Sequence, residues 1–274
     1  MRLNCAPEEL KKIATRIRQD VVESIYLAGS GHPGGSLSLG EILTVLYFHT
    51  MNIDPQNPQW EERDRFVLSK GHGAPALYAA LAERGYFPVE KLRTLRKIDS
   101  NLQGHPDMRK VPGVDMSTGS LGQGISAACG MAYFAKNQGK SYRVYCVLGD
   151  GEIQEGVVWE AAMSAGHFKL DNLTVLLDNN NLQIDGNVDQ VMNIYPIKEK
   201  FEAFGWRVLE SDGHQVEKLL EALQEGEEKQ DRPLLIICRT VKGKGVTFME
   251  NQVGWHGSAI NEEQYEAARK ELGR

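Results

Sequence analysis

The sequence predicts an α/β fold: a mainly parallel sheet with helices on both faces. Three observations carry this reading. Short runs rich in Val, Ile and Leu recur along the chain, and stretches with helical periodicity separate them. The runs are apolar throughout rather than alternating, which marks strands buried on both faces of a parallel sheet. The 274 residues show no internal repeat, low-complexity linker or break in composition, so a single domain spanning 1–274 is expected.

Residues 7–28 read as an amphipathic helix, because Leu10, Ile13, Ile17, Val21 and Ile25 recur at three- and four-residue steps. Pro7 followed by Glu8 and Glu9 is a favoured first turn. The segment GSGHPGGS holds four glycines and a proline in eight residues and is expected to form no regular structure. A second helix follows, with Leu39, Ile42, Leu43, Leu46 and Tyr47 on one stripe, and residues 52–64 read as a polar loop. RFVLS is a short strand, and GHGAPALYAALAERG opens a helix. QGISAACGMAYFA is a helix of small residues, and residues 142–150, YRVYCVLGD, form a strand. EGVVWEAAMSAGHF is helical, residues 172–180, NLTVLLDNN, form the next strand, FEAFGW is helical and WRVLES is a strand. VEKLLEALQEG is an amphipathic helix ending at Gly226, PLLIICRT at 233–240 is an apolar strand, and NEEQYEAARKELG is a short charged helix.

Composition narrows the function classes. Hydrophobic residues at 41% and charged residues at 25% are ordinary for a globular protein. Lys and Arg number 31 against 37 Asp and Glu, a net charge of −6, which argues against a nucleic-acid partner. Cys5, Cys129, Cys146 and Cys238 show no C-x-x-C spacing, so neither a zinc site nor a disulfide framework is expected, and a reducing compartment is. The N-terminal stretch is charged and lacks the apolar core of a signal peptide. No apolar run approaches the ~18 residues of a membrane span. The expected location is the cytoplasm, away from any membrane.

The strongest motif is Gly149-Asp150-Gly151 at the end of one strand, with Asn179-Asn180 at the end of the next and 27 residues, 152–178, between them. In an open parallel sheet, ligands bind outside the carboxyl ends of the strands, so both motifs fall on one rim. An aspartate carboxylate and an asparagine carbonyl are hard oxygen ligands suited to Mg2+ or Ca2+. Gly151 leaves room for a phosphate beside backbone N–H groups at a helix start. The chain has seven histidines, His32, His49, His72, His105, His167, His214 and His256, and six of them adjoin a glycine. Clustered neutral imidazoles suit hydroxyl-rich substrates whose chemistry needs proton transfers. His167 reads as a dipole partner at a helix C-terminus, His214 reads as structural, and His49 lies in no motif.

The block GDGEIQEGVVWEAAMSAGHFKLDNLTVLLDNNNLQIDG carries the thiamine diphosphate fingerprint and resembles transketolases. SGHPGGSLS, SKGHG, GHPD, TGSLGQG and GWHGSA resemble the other transketolase blocks, in the same order. The resemblance runs from about residue 10 to about residue 262 and covers the N-terminal, diphosphate-binding part of a transketolase. It implies the N-terminal subunit of a split transketolase, without the pyrimidine-binding and C-terminal domains. Such a chain would move a two-carbon ketol unit from a ketose phosphate to an aldose phosphate, as in the pentose phosphate pathway. It would act only with a C-terminal partner subunit, in a heterotetramer with two copies of each chain. Two alternatives stand beside it. One is a subunit of another thiamine diphosphate enzyme, of 2-oxoacid or deoxyxylulose-phosphate synthase type or a transketolase for an unusual sugar. The other is a non-catalytic, cofactor-binding subunit.

Carried onto this sequence, the resemblance assigns Asp150, Asn180 and the backbone carbonyl of Leu182 to the metal, Mg2+ or Ca2+. His72, Gly119, Ser120, Leu121, Gly151 and Asn180 would contact thiamine diphosphate. His32 and His105 would contact donor hydroxyls. His256 would sit beside both diphosphate and substrate and transfer protons. Glu155 would lie at the subunit interface, near the partner's cofactor-activating glutamate. Ser120 stands where many transketolases carry proline. The helix QGISAACGMAYFA would pack near the subunit interface. Of Lys242 and Lys244 in the loop after the last strand, Lys244 is within reach of a phosphate, although a solvated lysine is the plainer expectation.

Overall fold

The computed structural model describes residues 2–227 and 231–273. Helix α1 (Pro7–Ala28) starts with Pro7 at N1 and stops at Gly29, whose φ of 67° lets its N–H cap Ile25 and Tyr26. Two short buried helices follow, α2 (Pro33–Leu37) and α3 (Gly40–Val45), and a wider turn over Leu46–Thr50 ends that run. Strand β1 (Arg65–Leu68), helix α4 (Ala74–Arg84), helix α5 (Gln123–Asn137), strand β2 (Val144–Gly149), helix α6 (Gly156–His167) and strand β3 (Leu173–Asn179) come next. A small hairpin, β4 (Leu182–Gln183) with β5 (Gly186–Asn187), and helices α7 (Val188–Val191) and α8 (Ile197–Ala203) lead to strand β6 (Arg207–Asp212). Helix α9 (Val216–Gly226), strand β7 (Leu234–Arg239) and helix α10 (Glu262–Glu271) complete the chain.

Five strands form one parallel sheet in the order β1-β2-β3-β7-β6. Successive side chains on a strand point to opposite faces, and each face has its own core. Leu68, Val147, Leu176 and Ile236 pack with α1, α3, α4 and α9. Val67, Cys146, Leu148, Val175, Leu177 and Ile237 pack with α5, α6 and α8. The apolar strand runs are therefore explained by helices on both sides, as the sequence predicts.

Two expectations need correction. GSGHPGGS is not wholly irregular, since it contains α2. Pro33 presets the first helical residue, and Gly34 lets the helix lie against the loop that follows β7. A Cβ at Gly34 would sit 2.7 Å from the Trp255 carbonyl oxygen and 3.0 Å from Lys242 Cγ. Strand β6 is the second departure. It lies at the sheet edge with only Val208 and Ser211 buried; Val208 packs in one core and Leu209 against the other, so both faces are covered, but thinly. The β4–β5 hairpin within NLQIDGN has no signal in the sequence, because two-residue strands carry no periodicity.

Candidate active site

The carboxyl ends of β1, β2, β3 and β7 deliver Lys70, Asp150, Asn180 and Lys242 to the wall of one cleft of about 310 Å³. His32, His72, Gly119, Leu121, Gly151, Glu155, Leu182 and His256 also line it. Ser120 is exposed and outside the lining. His105 stands behind the lining, against Gly119, where a Cβ would come within 2.9 Å of its ring. Gly119 has φ of 148°, so glycine is needed there both for backbone angle and for the histidine's space.

A fully buried carboxylate, Asp178, ties these strand ends together. It accepts from Lys70 Nζ at 2.5 Å, Ser38 Oγ at 2.7 Å, Asn180 Nδ2 at 3.3 Å and the Thr240 hydroxyl. Burial would raise its pKa, but Lys70 and the hydroxyl donors outweigh that and hold it below the usual carboxylate range. Glu152 does comparable work one layer over. It accepts from Ser69 Oγ at 2.5 Å, Gly122 N at 2.8 Å and Gly149 N at 3.0 Å. The turn before α5 is thereby pinned to the ends of β1 and β2.

The oxygen set proposed for a metal faces the same cleft. Asp150 is 2% exposed, accepts from the N–H groups of Gly151 and Asn181, and makes no ion pair among the described residues. Burial, then the charge of Asp178, pushes its carboxyl up to about 6. The Leu182 carbonyl accepts from Lys242 Nζ at 2.9 Å, so this oxygen already attracts a cation. A buried carboxylate with no ion-pair partner among the described residues, an amide oxygen and a carbonyl form a hard-oxygen donor set that fits Mg2+ or Ca2+.

Four imidazoles cluster at one end of the cleft. The His32 ring centroid is 5.4 Å from His72, 6.4 Å from His105 and 5.7 Å from His256, and His72 is 5.0 Å from His256. Burial and neighbouring cations shift all four toward the neutral form. His32 is pulled down to about 4 by burial, then by Arg96, His105, Lys242 and Lys70. His256 is pulled down to about 3 by burial, then by Lys242. His72 lies well below its ordinary value and His105 is lowered, both by burial first. Lys242 Nζ lies 2.8 Å from His256 Nδ1. Burial, then the charge of Lys70, draws this lysine down to about 8. As an ammonium it can only donate, which puts the His256 proton on Nε2.

The remaining histidines are elsewhere. His214 Nδ1 is 2.8 Å from Glu41 Oε2 and its Nε2 accepts from Val241 N at 2.8 Å, so it buttresses the fold. His167 is exposed in the last turn of α6 against Phe168, and His49 Nδ1 meets the Cys5 carbonyl oxygen at 3.0 Å. Lys244 is also outside the cleft, 3.3 Å from Glu250. Of the two loop lysines it is Lys242 that reaches the cleft, and Lys244 lies outside it, in keeping with the plainer expectation of a lysine away from the site. Lys70 escapes the sequence reading although SKGHG places it directly after a strand. Glu152, Asp178 and Arg96 escape it because nothing local distinguishes them.

An α/β domain with phosphate-sized space, paired ammoniums, a hard-oxygen corner and neutral histidines is of the diphosphate-binding class. Residues 10–274 match the family model described as transketolase, thiamine diphosphate binding domain. The chain is 47% identical over 264 residues to the 6-deoxy-6-sulfo-D-fructose transketolase subunit SqwG of Clostridium sp. (strain MSTE9), covering 96% of each. It is 42% identical over 265 residues to one subunit of the apulose-4-phosphate transketolase of Phocaeicola vulgatus, covering 97% of this chain and 94% of that one. The solved transketolase of Campylobacter jejuni superposes with a TM-score of 0.92 at 35% identity, covering 98% of this chain and 43% of that one. The chain belongs to the transketolase family. It spans less than half the length of that solved transketolase and nearly all of the two subunit-length relatives.

Proposed function

We propose that this chain is the N-terminal subunit of a thiamine diphosphate-dependent transketolase that works with a C-terminal partner subunit. The observation that carries the reading is the cleft itself: Lys70, Lys242, the Asp150 oxygen corner and the imidazoles of His32, His72 and His256 around one space, with His105 close behind. Bound there, thiamine diphosphate would supply the nucleophilic carbon and the electron sink that let a two-carbon ketol unit leave one sugar and join another. The chain's own residues would do the rest. Asp150, Asn180 and the Leu182 carbonyl would hold Mg2+, with Ca2+ accepted by the same oxygens. Lys242, Lys70 and the N–H of Gly151 would hold the diphosphate, and Gly119, Leu121 and His72 would shape its seat, with Ser120 linking the two turn residues from outside. His32 and His105, both neutral, would donate to and accept from donor-sugar hydroxyls, and His256 would move protons from its Nε2 edge.

The partner would supply a pyrimidine-binding domain. Glu155, exposed at the mouth of the cleft, would face the partner's cofactor-activating glutamate. Tyr133, Phe134, Met163 and Phe168 are exposed on and beside α5 and α6. This apolar surface supports assembly into a heterotetramer with two copies of each chain. The names of the two subunit-length relatives carry a sulfonated ketose and a sugar phosphate, so the donor is best sought among ketose phosphates and their sulfonate analogues. Among the described residues no helix is long and apolar enough to cross a membrane, and work in the cytoplasm is the setting proposed.

The test is ketol transfer to ribose 5-phosphate, with thiamine diphosphate and Mg2+, by the chain alone and by the chain co-purified with a candidate C-terminal subunit. Donors would be xylulose 5-phosphate, fructose 6-phosphate, 6-deoxy-6-sulfo-fructose and pyruvate. Activity with a ketose donor in the pair alone is the expected result. Turnover by the isolated chain, or by the pair with pyruvate only, would overturn it.

A further inference from the structure

Arg96 is a cation that stability does not explain. Its backbone is in the left-handed region at φ of 58°, an uncommon state for a residue other than glycine. Its N–H is tied to the Leu102 carbonyl at 2.7 Å. Its guanidinium lies against Gly104, where a Cβ would come within 2.8 Å of Cζ and Nη2. Its Nε is buried without a hydrogen-bond partner, and among the described residues no carboxylate pairs with it. An unpaired, partly desolvated cation is a cost to folding.

The group it does address is a ring of the histidine cluster. Arg96 Nη2 lies 3.5 Å from His32 Nδ1. A guanidinium can only donate, so Nδ1 must accept, and the ring proton is left on Nε2. The opposite edge of the ring is kept open by another missing side chain. A Cβ at Gly257 would sit 3.4 Å from His32 Nε2 and 3.3 Å from Cδ2. We infer that Arg96 is a positioning residue: it fixes His32 as the Nε2–H tautomer and turns that N–H, as a donor, toward the substrate side of the cleft. The same guanidinium acts on His105, for which it is the main charged influence after burial. For His32 the other facing groups are Lys70, Lys242, His72, His105 and His256.

This inference rests on the transketolase reading for its functional consequence, but its first test does not. The chain labelled with 15N-histidine would be examined by NMR, with the His32 signal identified by its loss in His32→Asn. Wild type is expected to show Nε2–H at His32 throughout pH 6–8. Arg96→Met is expected to release Nδ1, mix the tautomers and move the His32 and His105 titrations upward. Arg96→Lys should keep part of the titration shift and lose the tautomer preference. In the active pair, Arg96→Met should raise the donor KM roughly tenfold, as expected for one lost directed hydrogen bond, with a smaller change in kcat. It should also move the acidic limb of the pH profile upward. An Arg96→Met chain that keeps the wild-type circular dichroism, His32 nitrogen shifts and titration would overturn the inference. An inactive wild-type pair whose His32 signals still respond to Arg96→Met would overturn the transketolase reading and leave the positioning role standing.

Discussion

Lys242 shows what a single residue does in this cleft. Its ammonium donates to the Leu182 carbonyl and to His256, joining the oxygen corner to the histidine cluster. Lys242→Met should weaken diphosphate binding to the pair roughly tenfold to a hundredfold, the usual range for a buried charge-assisted contact. Calorimetric titration with thiamine diphosphate and Mg2+ would measure it, and an unchanged Kd would remove Lys242 from that role. The histidines also predict how stability responds to acid. The folded pKa of His32 is about 4 and that of His256 about 3, against 6.5 for an unperturbed histidine. Below pH 6.5 the unfolded chain therefore binds more protons than the folded one, and stability falls with pH. The melting temperature should decline from pH 6.5 toward 4. Asp150, raised to about 6, works in the opposite sense, as do Asp64, Asp115 and Glu152, all raised by burial, whereas Glu41 and Asp178, held low, act with the histidines. A flat melting temperature across that window would contradict the neutral cluster. Asp150, Asn180 and the four histidines are legible because each sits in a short motif. Lys242 is not separable from Lys244, since both flank the same glycine and only the loop's path decides which one turns inward.

Elements are legible where periodicity is long. The 22 residues of α1 carry five apolar anchors and begin and end where Pro7 and Gly29 say they should. Strands β2, β3 and β7 announce themselves by unbroken apolar runs. Helix α2 cannot be read, because propensity opposes it: two of its five residues are glycine. It exists because it is buried between Lys242, Trp255 and the histidines, a tertiary reason. Gly34→Ala tests this. The added methyl would meet the Trp255 carbonyl at 2.7 Å, so α2 must shift, at a cost of about 1–3 kcal/mol. A lowered urea midpoint and weakened cofactor binding are expected together. A midpoint equal to wild type would mean that the loop after β7 yields and the glycine is not required.

At the scale of the whole molecule, chain order and the parallel sheet follow from the alternation of strand and helix, whereas the packing that turns strand ends into a site does not. Asp178 illustrates why: its partners Ser38, Lys70 and Thr240 lie 140, 108 and 62 residues away in sequence, and no local pattern links them. That separation has a consequence for the order of assembly. Contacts between distant segments must await the closure of long loops. Helices α1 and α9 can form early, but the Asp178 knot can tie only after β1, β2, β3 and β7 have assembled in register. Capacity to bind diphosphate should thus be the last property to return on refolding from urea and the first to vanish on unfolding. Stopped-flow circular dichroism followed in parallel with binding of a fluorescent diphosphate analogue would reveal the lag, and coincident traces would show instead that sheet and site form in one step.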